Sequence, residues 1–203
     1  MLKVRLNLRN VVAIAICLAG VTFFGSCEKE NKDSIDNPDN PSSGSLKVGQ
    51  TYQGGIIAYV DNTGKHGFIA TPEDISPGIS WEREYALHIE TGATGTMIGT
   101  GKSNTDKIVQ VQGQGNYAAK LCYDLVFNGY DDWYLPSLNE LDILYRNRNS
   151  IGMFQNDFYW SSSECFDYWG IVTSWSIDFS DNGRQYDYAG RQSTMRVRAI
   201  RSF

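Results

Sequence analysis

Residues 132–141 read Asp132-Trp133-Tyr134-Leu135-Pro136-Ser137-Leu138-Asn139-Glu140-Leu141. Ser137 and Glu140 have the S-x-x-E spacing of a capping box. In that motif the hydroxyl accepts from the backbone three residues on, and the carboxylate reaches back to the N–H of the cap. Pro136 stands just ahead of the cap. Leu138, Leu141, Leu144 and Tyr145 then share one face, and Gly152 ends the segment. A second helix is expected just upstream. Asn116 is a good N-cap, Ala118, Leu121, Cys122 and Leu125 follow an i, i+3, i+4, i+7 pattern, and Gly129 is a stop.

Strand patterns flank these two helices. Ile56–Val60 and Gly67–Thr71 bracket the turn Asp61-Asn62-Thr63-Gly64 and read as a β-hairpin. Residues 72–104 are rich in Gly, Thr and Ser with little periodicity and read as mostly loop. Phe158–Ser161, Ile171–Phe179 and Met195–Ile200 are strand-like, and Asp181-Asn182-Gly183 is a turn. Strands, then helices, then strands indicate an α+β domain, two helices packed on antiparallel strands, rather than alternating α/β. It spans residues 46–203, which is enough for one core.

What precedes it reads as an address. Lys3, Arg5 and Arg9 make a basic start, and Val11–Phe24 is an apolar run of 14 residues. A membrane-spanning helix needs roughly 20, so residues 1–26 read as a signal peptide, with Cys17 removed along with it. Phe24-Gly25-Ser26-Cys27 resembles a bacterial lipobox, which makes Cys27 the expected lipidation site and the first mature residue. The alternative is an ordinary signal peptide with a chance Cys. Residues 27–45 then form an acylated Cys and a flexible tether, polar throughout apart from Ile35. Its charged start, Glu28 to Asp33, resembles the acidic tethers of some surface lipoproteins and reads equally well as a solvated linker. The expected location is the cell envelope, as an outer-membrane lipoprotein held by its lipid.

The chain of 203 residues has 18 Lys and Arg against 23 Asp and Glu. All acids lie beyond residue 26, where 15 bases oppose them, so that part carries a net charge of −8. With no basic block, it is a poor partner for a phosphate backbone, and nucleic acid is excluded as a ligand.

Several segments together resemble a known family. They are Gly54-Gly55-Ile56-Ile57, Gly99-Thr100-Gly101 with Asn104-Thr105, the 132–141 stretch, Tyr159-Trp160-Ser161-Ser162-Ser163-Glu164, and Val197-Arg198-Ala199-Ile200-Arg201. In that order they are similar to the Lcl C-terminal domain family. The resemblance implies a C-type-lectin-like domain on secreted or surface proteins, with glycan or matrix binding in some members. Leu135-Pro136-Ser137 with Glu140-Leu141 also resembles formylglycine-generating enzymes, which need a reactive cysteine arrangement that has no counterpart here. Many relatives carry a Cys on the last strand where this chain has Ala199, so the usual partner of the helix Cys122 is missing.

The candidate chemistry is sparse. An exported location permits a disulfide between Cys122 and Cys165, the alternative being two free thiols. A nucleophilic Cys needs a nearby His or helix dipole, and the only histidines are His66 and His88. There is no H-x-x-x-H, C-x-x-C or G-x-S-x-G, so no catalytic residue, metal or cofactor is assigned. Asp178-x-Ser180-x-Asn182-Gly183 opens like a calcium loop but lacks its closing Glu, and reads as a plain turn. Asp131 and Asp132 are adjacent, which does not suit a glycosidase pair, and Glu140 is explained as a cap. Arg196, Arg198 and Arg201 are expected to pair with Asp131, Asp132 or Asp178, the alternative being a patch for an anionic ligand. Trp133, Trp160 and Trp175 are expected in the core. The remaining enrichment is aromatic. Asp167, Tyr168 and Trp169, together with Arg184, Tyr186, Asp187 and Tyr188, fall in or beside expected loops at 164–170 and 181–192. Rings beside charged groups suit binding of a glycan or an extracellular protein. The competing reading packs those rings under the loops.

Overall fold

The computed structural model describes residues 45–84, 88–180 and 182–203, without the side chains of Tyr188 and Ala189. The expected signal peptide, Cys27 and the tether through residue 44 lie outside the described residues. The domain is a mixed α+β structure with two sheets. Its strands are β1 (Thr51–Tyr52), β2 (Gly55–Val60), β3 (Gly67–Ala70), β4 (Ser76–Ile79), β5 (Phe158–Phe166), β6 (Val172–Asp178), β7 (Gln185–Ala189), β8 (Met195–Val197) and β9 (Ile200–Ser202). Its helices are α1 (Gly101–Gln112), α2 (Ala118–Tyr123), α3 (Leu138–Arg146) and α4 (Arg148–Ile151).

The first sheet has the order β1-β2-β3-β9, antiparallel throughout. Its central pair is the expected hairpin, closed by Asp61, whose carboxylate accepts from the backbone N–H and hydroxyl of Thr63. The second sheet has the order β4-β8-β5-β6-β7. Here the antiparallel expectation needs a correction. β8 lies parallel to β5, at Tyr159 and Arg196, because it arrives by a crossover through residues 190–194 and not by a hairpin. One core cluster gathers Trp81, Ile108, Cys122, Trp133 and Trp160, and the other gathers Leu141, Leu144, Tyr159, Ile177 and Phe179. Trp175 is only half-buried, against the second.

Among the described residues there are four helical segments where two are expected. α3 starts as read: Ser137 Oγ accepts from the Glu140 N–H, and Glu140 Oε2 accepts from the Ser137 N–H at 2.8 Å. α2 starts one residue later than read, with Tyr117 as its N-cap. α1 falls partly in the stretch read as loop. Its buried stripe is Gly101, Asn104, Thr105, Ile108 and Gln112, a helical spacing carried mostly by polar residues.

The arginine partners also differ from expectation. Arg201 does bond Asp132. Arg196 instead joins Asp157 at 3.0 Å and Asp74 at 3.3 Å, and the buried Arg198 joins Asp74 at 2.8 Å while capping the carbonyls of Thr71, Pro72 and Met153. Asp74 comes from a segment that carried no signal. The disulfide is corrected as well: Cys122 and Cys165 are both free. Cys122 faces the core from α2, whereas Cys165 lies on β5 against Thr173 Oγ1 and the Asp187 carbonyl, each at 3.1 Å.

Candidate functional site

The β5–β6 hairpin carries the most exposed aromatic residues of the described chain. β5 ends at Phe166, opposite Val172. The Asp167 N–H donates to the Ile171 carbonyl at 2.9 Å, and the Gly170 N–H donates to the Asp167 carbonyl at 3.0 Å. Gly170 has φ 75, the left-handed conformation that closes a three-residue hairpin loop after a type I turn. The Asp167 carboxylate braces this loop, since one oxygen accepts from the N–H groups of Trp169 at 2.9 Å and Ile171 at 2.8 Å. Asp167 therefore holds the turn and is not a free contact group.

The braced turn lifts Tyr168 and Trp169 into solvent, 93% and 81% exposed. Their rings meet edge to face with centroids 5.8 Å apart. Phe166 and Ile171, also exposed, flank them and make one apolar tip. Sequence reasoning did not assign these two flanking residues. Phe166 stood in the aromatic run, and Ile171 was read as part of a strand.

Of the other expected site residues, Arg184 and Tyr186 are not brought to this tip. Residues 185–189 are strand β7, not loop. Tyr186 pairs with Ser176, four residues along β6 from Val172, roughly 13 Å at the usual strand rise. It is half-buried against Phe158 at 5.3 Å, and Arg184 stacks over its ring at 5.0 Å. Tyr186 and Arg184 thus belong to the far end of the sheet, beside the β6–β7 turn. Asp187 is exposed and nearer the tip, where its carbonyl accepts from Thr173 and Cys165. The Tyr188 side chain lies outside the described residues. The proposed two-loop site is therefore corrected to a single hairpin tip, because β6 separates the two loops lengthwise.

Most of the segments that carry the family resemblance lie inside. Between Trp160 and Glu164, Ser161, Ser162 and Ser163 oppose a single residue of β6, so β5 bulges. The bulge is buried and fully engaged. Ser161 Oγ donates to the Trp175 carbonyl, the Ser162 N–H to the Pro136 carbonyl and Ser163 Oγ to the Gly95 carbonyl, while the Leu138 N–H donates to Ser163 Oγ. Asn104 of α1 reaches Ser162 Oγ and the Gly95 carbonyl, and Thr105 Oγ1 bonds both backbone groups of Leu135. Glu140 Oε1 accepts from Gly99 N–H at 2.8 Å. Burial raises the Glu140 carboxyl above its ordinary value, although backbone N–H groups of Ser137, Gly99 and Gly101 oppose that.

Beside the bulge, Arg191 is buried over the Trp81 ring at 4.1 Å. It pairs with Glu164 at 2.6 Å and lies 4.0 Å from Glu82. Glu164 also accepts from Thr91 N–H and Oγ1, both at 2.7 Å, and from Gly92 N–H at 3.2 Å. Burial pushes its carboxyl up, but the Thr91 bonds and Arg191 outweigh that and hold it below the usual value.

The signature residues thus join α1, the start of α3, β5 and the 91–101 loop into one polar lock. The family model for the Lcl C-terminal domain matches residues 70–201, which takes in this whole assembly. The chain belongs to the Lcl C-terminal domain family. No curated protein matches it significantly. In this Lcl C-terminal domain Trp133, Leu135, Ser137, Glu140, Ser161 to Glu164 and Arg198 are buried, while the exposed rings of the tip are not among the motif residues. Burial also pushes both thiols up, Cys165 to about 11, so neither is a thiolate at neutral pH. Among the described residues no group of three or more His, Cys, Asp or Glu is placed to hold a metal ion, and no helix is long and apolar enough to cross a membrane.

Proposed function

We propose that this protein is a cell-envelope lipoprotein, anchored in the outer membrane through Cys27, whose Lcl C-terminal domain is a non-enzymatic binding module working through the 166–171 tip. The reading rests on one observation. Tyr168 and Trp169 stand exposed on a turn whose backbone is fixed by Asp167. Rings held this way lose little freedom on binding and can stack on a sugar face or fill a pocket on a protein. Exposed apolar clusters of this kind mark interaction sites. The ligand is a glycan or matrix component, in keeping with the family resemblance. We also read the fold as C-type-lectin-like, supported by two sheets with helices packed on them and irregular loops at 80–84, 88–100 and 190–194.

Two experiments test this. The full-length protein in detergent is applied to a glycan array and to immobilised matrix proteins. Removing a central ring at a real hot spot costs about 2 kcal/mol or more, so Trp169→Ala should weaken binding by roughly tenfold or more while leaving the melting temperature nearly unchanged. Unaltered binding in Trp169→Ala and Tyr168→Ala removes the tip from the reading. Labelling with an alkynyl fatty acid should mark the native chain and not Cys27→Ala; equal label in both removes the anchor.

A further inference from the structure

A second site is indicated on a different part of the domain, at a cleft of about 570 Å³ between the segment after β4, the α1–α2 linker and the 190–194 crossover. Its polar lining includes Arg83, Glu84, Gln114, Asn116, Gln192 and Thr194. The walls are tied together by backbone bonds. Trp81 N–H donates to the Arg191 carbonyl at 2.9 Å, and Ala118 N–H donates to the Ser80 carbonyl at 3.0 Å. The cleft is therefore part of the fold and does not depend on loose side chains.

Arg83 is the anomaly. Arg146, Arg191, Arg196, Arg198 and Arg201 pair with carboxylates, and Arg148 and Arg184 stack on rings. Arg83 has no carboxylate among the described residues within 4.0 Å, and its Nε is buried with no hydrogen-bond partner. Its position is nonetheless fixed. Its backbone N–H donates to Gln112 Oε1 at 2.7 Å, and its stem packs on Gly115, where a Cβ would come within 3.0 Å of the Arg83 Cβ. Gln112 is buried too, and its Nε2 also lacks a partner. Since its oxygen accepts from Arg83, its amide orientation is set. Arg83 thus lines the cleft half-buried, with one N–H already taken from water and without an acceptor, and the buried Gln112 behind it has an unpaired N–H of its own. A cationic donor partly desolvated and left without an anion is costly.

We infer that this cleft binds a carboxylate carried by a small molecule or chain end rich in neutral hydrogen-bonding groups, with the Arg83 guanidinium as its anchor. A carboxylate supplies two acceptor oxygens in the plane that the guanidinium fork matches. Glu84 in the same lining disfavours a dianion such as phosphate. Gln114, Asn116 and Thr194 are placed to meet hydroxyl or amide groups next to the carboxylate. This inference does not depend on the hairpin tip.

The test is ligand-observed saturation-transfer NMR on the full-length protein in detergent, with four probes: gluconate, N-acetylglycine, inorganic phosphate, and sorbitol as the uncharged counterpart of gluconate. Gluconate or N-acetylglycine should bind with Kd about 1 mM, and phosphate and sorbitol should bind much more weakly. Tighter gluconate assigns a hydroxy acid, and tighter N-acetylglycine assigns a peptide C-terminus. Arg83→Gln should weaken the preferred probe by roughly tenfold or more. Arg83→Lys, which keeps the charge, should weaken it less, and both variants should show the native melting temperature within a few degrees. Sorbitol binding as well as gluconate, silence from both carboxylates, or unchanged binding in Arg83→Gln overturns the inference and assigns the cleft to solvent.

Discussion

Replacing Glu164 by Gln keeps the volume of a buried side chain and removes only its charge. Four donors converge on this carboxylate: Thr91 N–H, Thr91 Oγ1, Gly92 N–H and the Arg191 guanidinium. A glutamine has one acceptor oxygen in place of two, and its NH2 must face groups that also donate. Arg191, fully buried, is left with Glu82 at 4.0 Å as its nearest carboxylate. Breaking a buried pair from one side costs about 3–5 kcal/mol. In a domain of this size each kcal/mol shifts the melting temperature by roughly 2–4 °C, so the drop should be roughly 6–20 °C. Calorimetric melts at pH 7, with urea unfolding in parallel, measure it. The double variant Glu164→Gln/Arg191→Met removes both charges of the pair and should recover part of the loss, less the cost of leaving the buried Glu82 without its nearest arginine. A loss under about 1 kcal/mol in Glu164→Gln would mean that water reaches the pair, and the argument from burial would fail.

Further outcomes follow from other parts of the fold. Gly101→Ala would put a Cβ 2.3 Å from Glu140 Oε2 and 2.8 Å from the Ser137 nitrogen, so it should destabilise by about 1–3 kcal/mol in chemical denaturation; wild-type stability would refute the contact. The pH profile should separate the two buried glutamates. Glu164, held low, contributes stability that is whole above the unfolded value near 4.5 and is lost as pH falls through its lower folded value. Glu140, held high, contributes stability that is whole below 4.5 and is lost as pH rises through its raised folded value. Stability measured from pH 3 to 7 should therefore change slope in opposite senses in Glu164→Gln and Glu140→Gln, and a shared direction would contradict the assignment. Thiol labelling at pH 7 should leave Cys122 unmodified until the protein unfolds, and non-reducing mass spectrometry of purified protein should find no 122–165 bridge.

The parts of the fold that announced themselves in the sequence are those decided locally. Ser137 and Glu140 form their box from a four-residue spacing, and the 61–64 turn needs only the Asp61 side chain and its neighbours. α1 was hidden because its inward stripe is Gly101, Asn104 and Thr105, residues that lower an apolar periodicity while satisfying buried partners far away in sequence. Asp74 and Arg191 were illegible for the same reason, since each is explained only by groups that the topology delivers. In the candidate site, Tyr168 and Trp169 were legible as rings beside turn residues. Their separation from Tyr186 was not: Gln185, Tyr186, Asp187 and Tyr188 do alternate, but the run is short and sits between the 181–183 turn and Gly190, so the turn residues on both sides drew it into a loop.

The serine bulge of β5 has a consequence for how this domain can be altered. Its hydroxyls reach into four neighbouring segments, β6 from Ser161, α1 from Ser162, and α3 and the 91–101 loop from Ser163, so a change at any of these serines loosens a junction of the framework. The tip is held only by its own residues, through Asp167 and Gly170. The buried framework and the turn are therefore separable, and a different turn can be grafted onto this domain between Phe166 and Val172 without rewriting what lies beneath it.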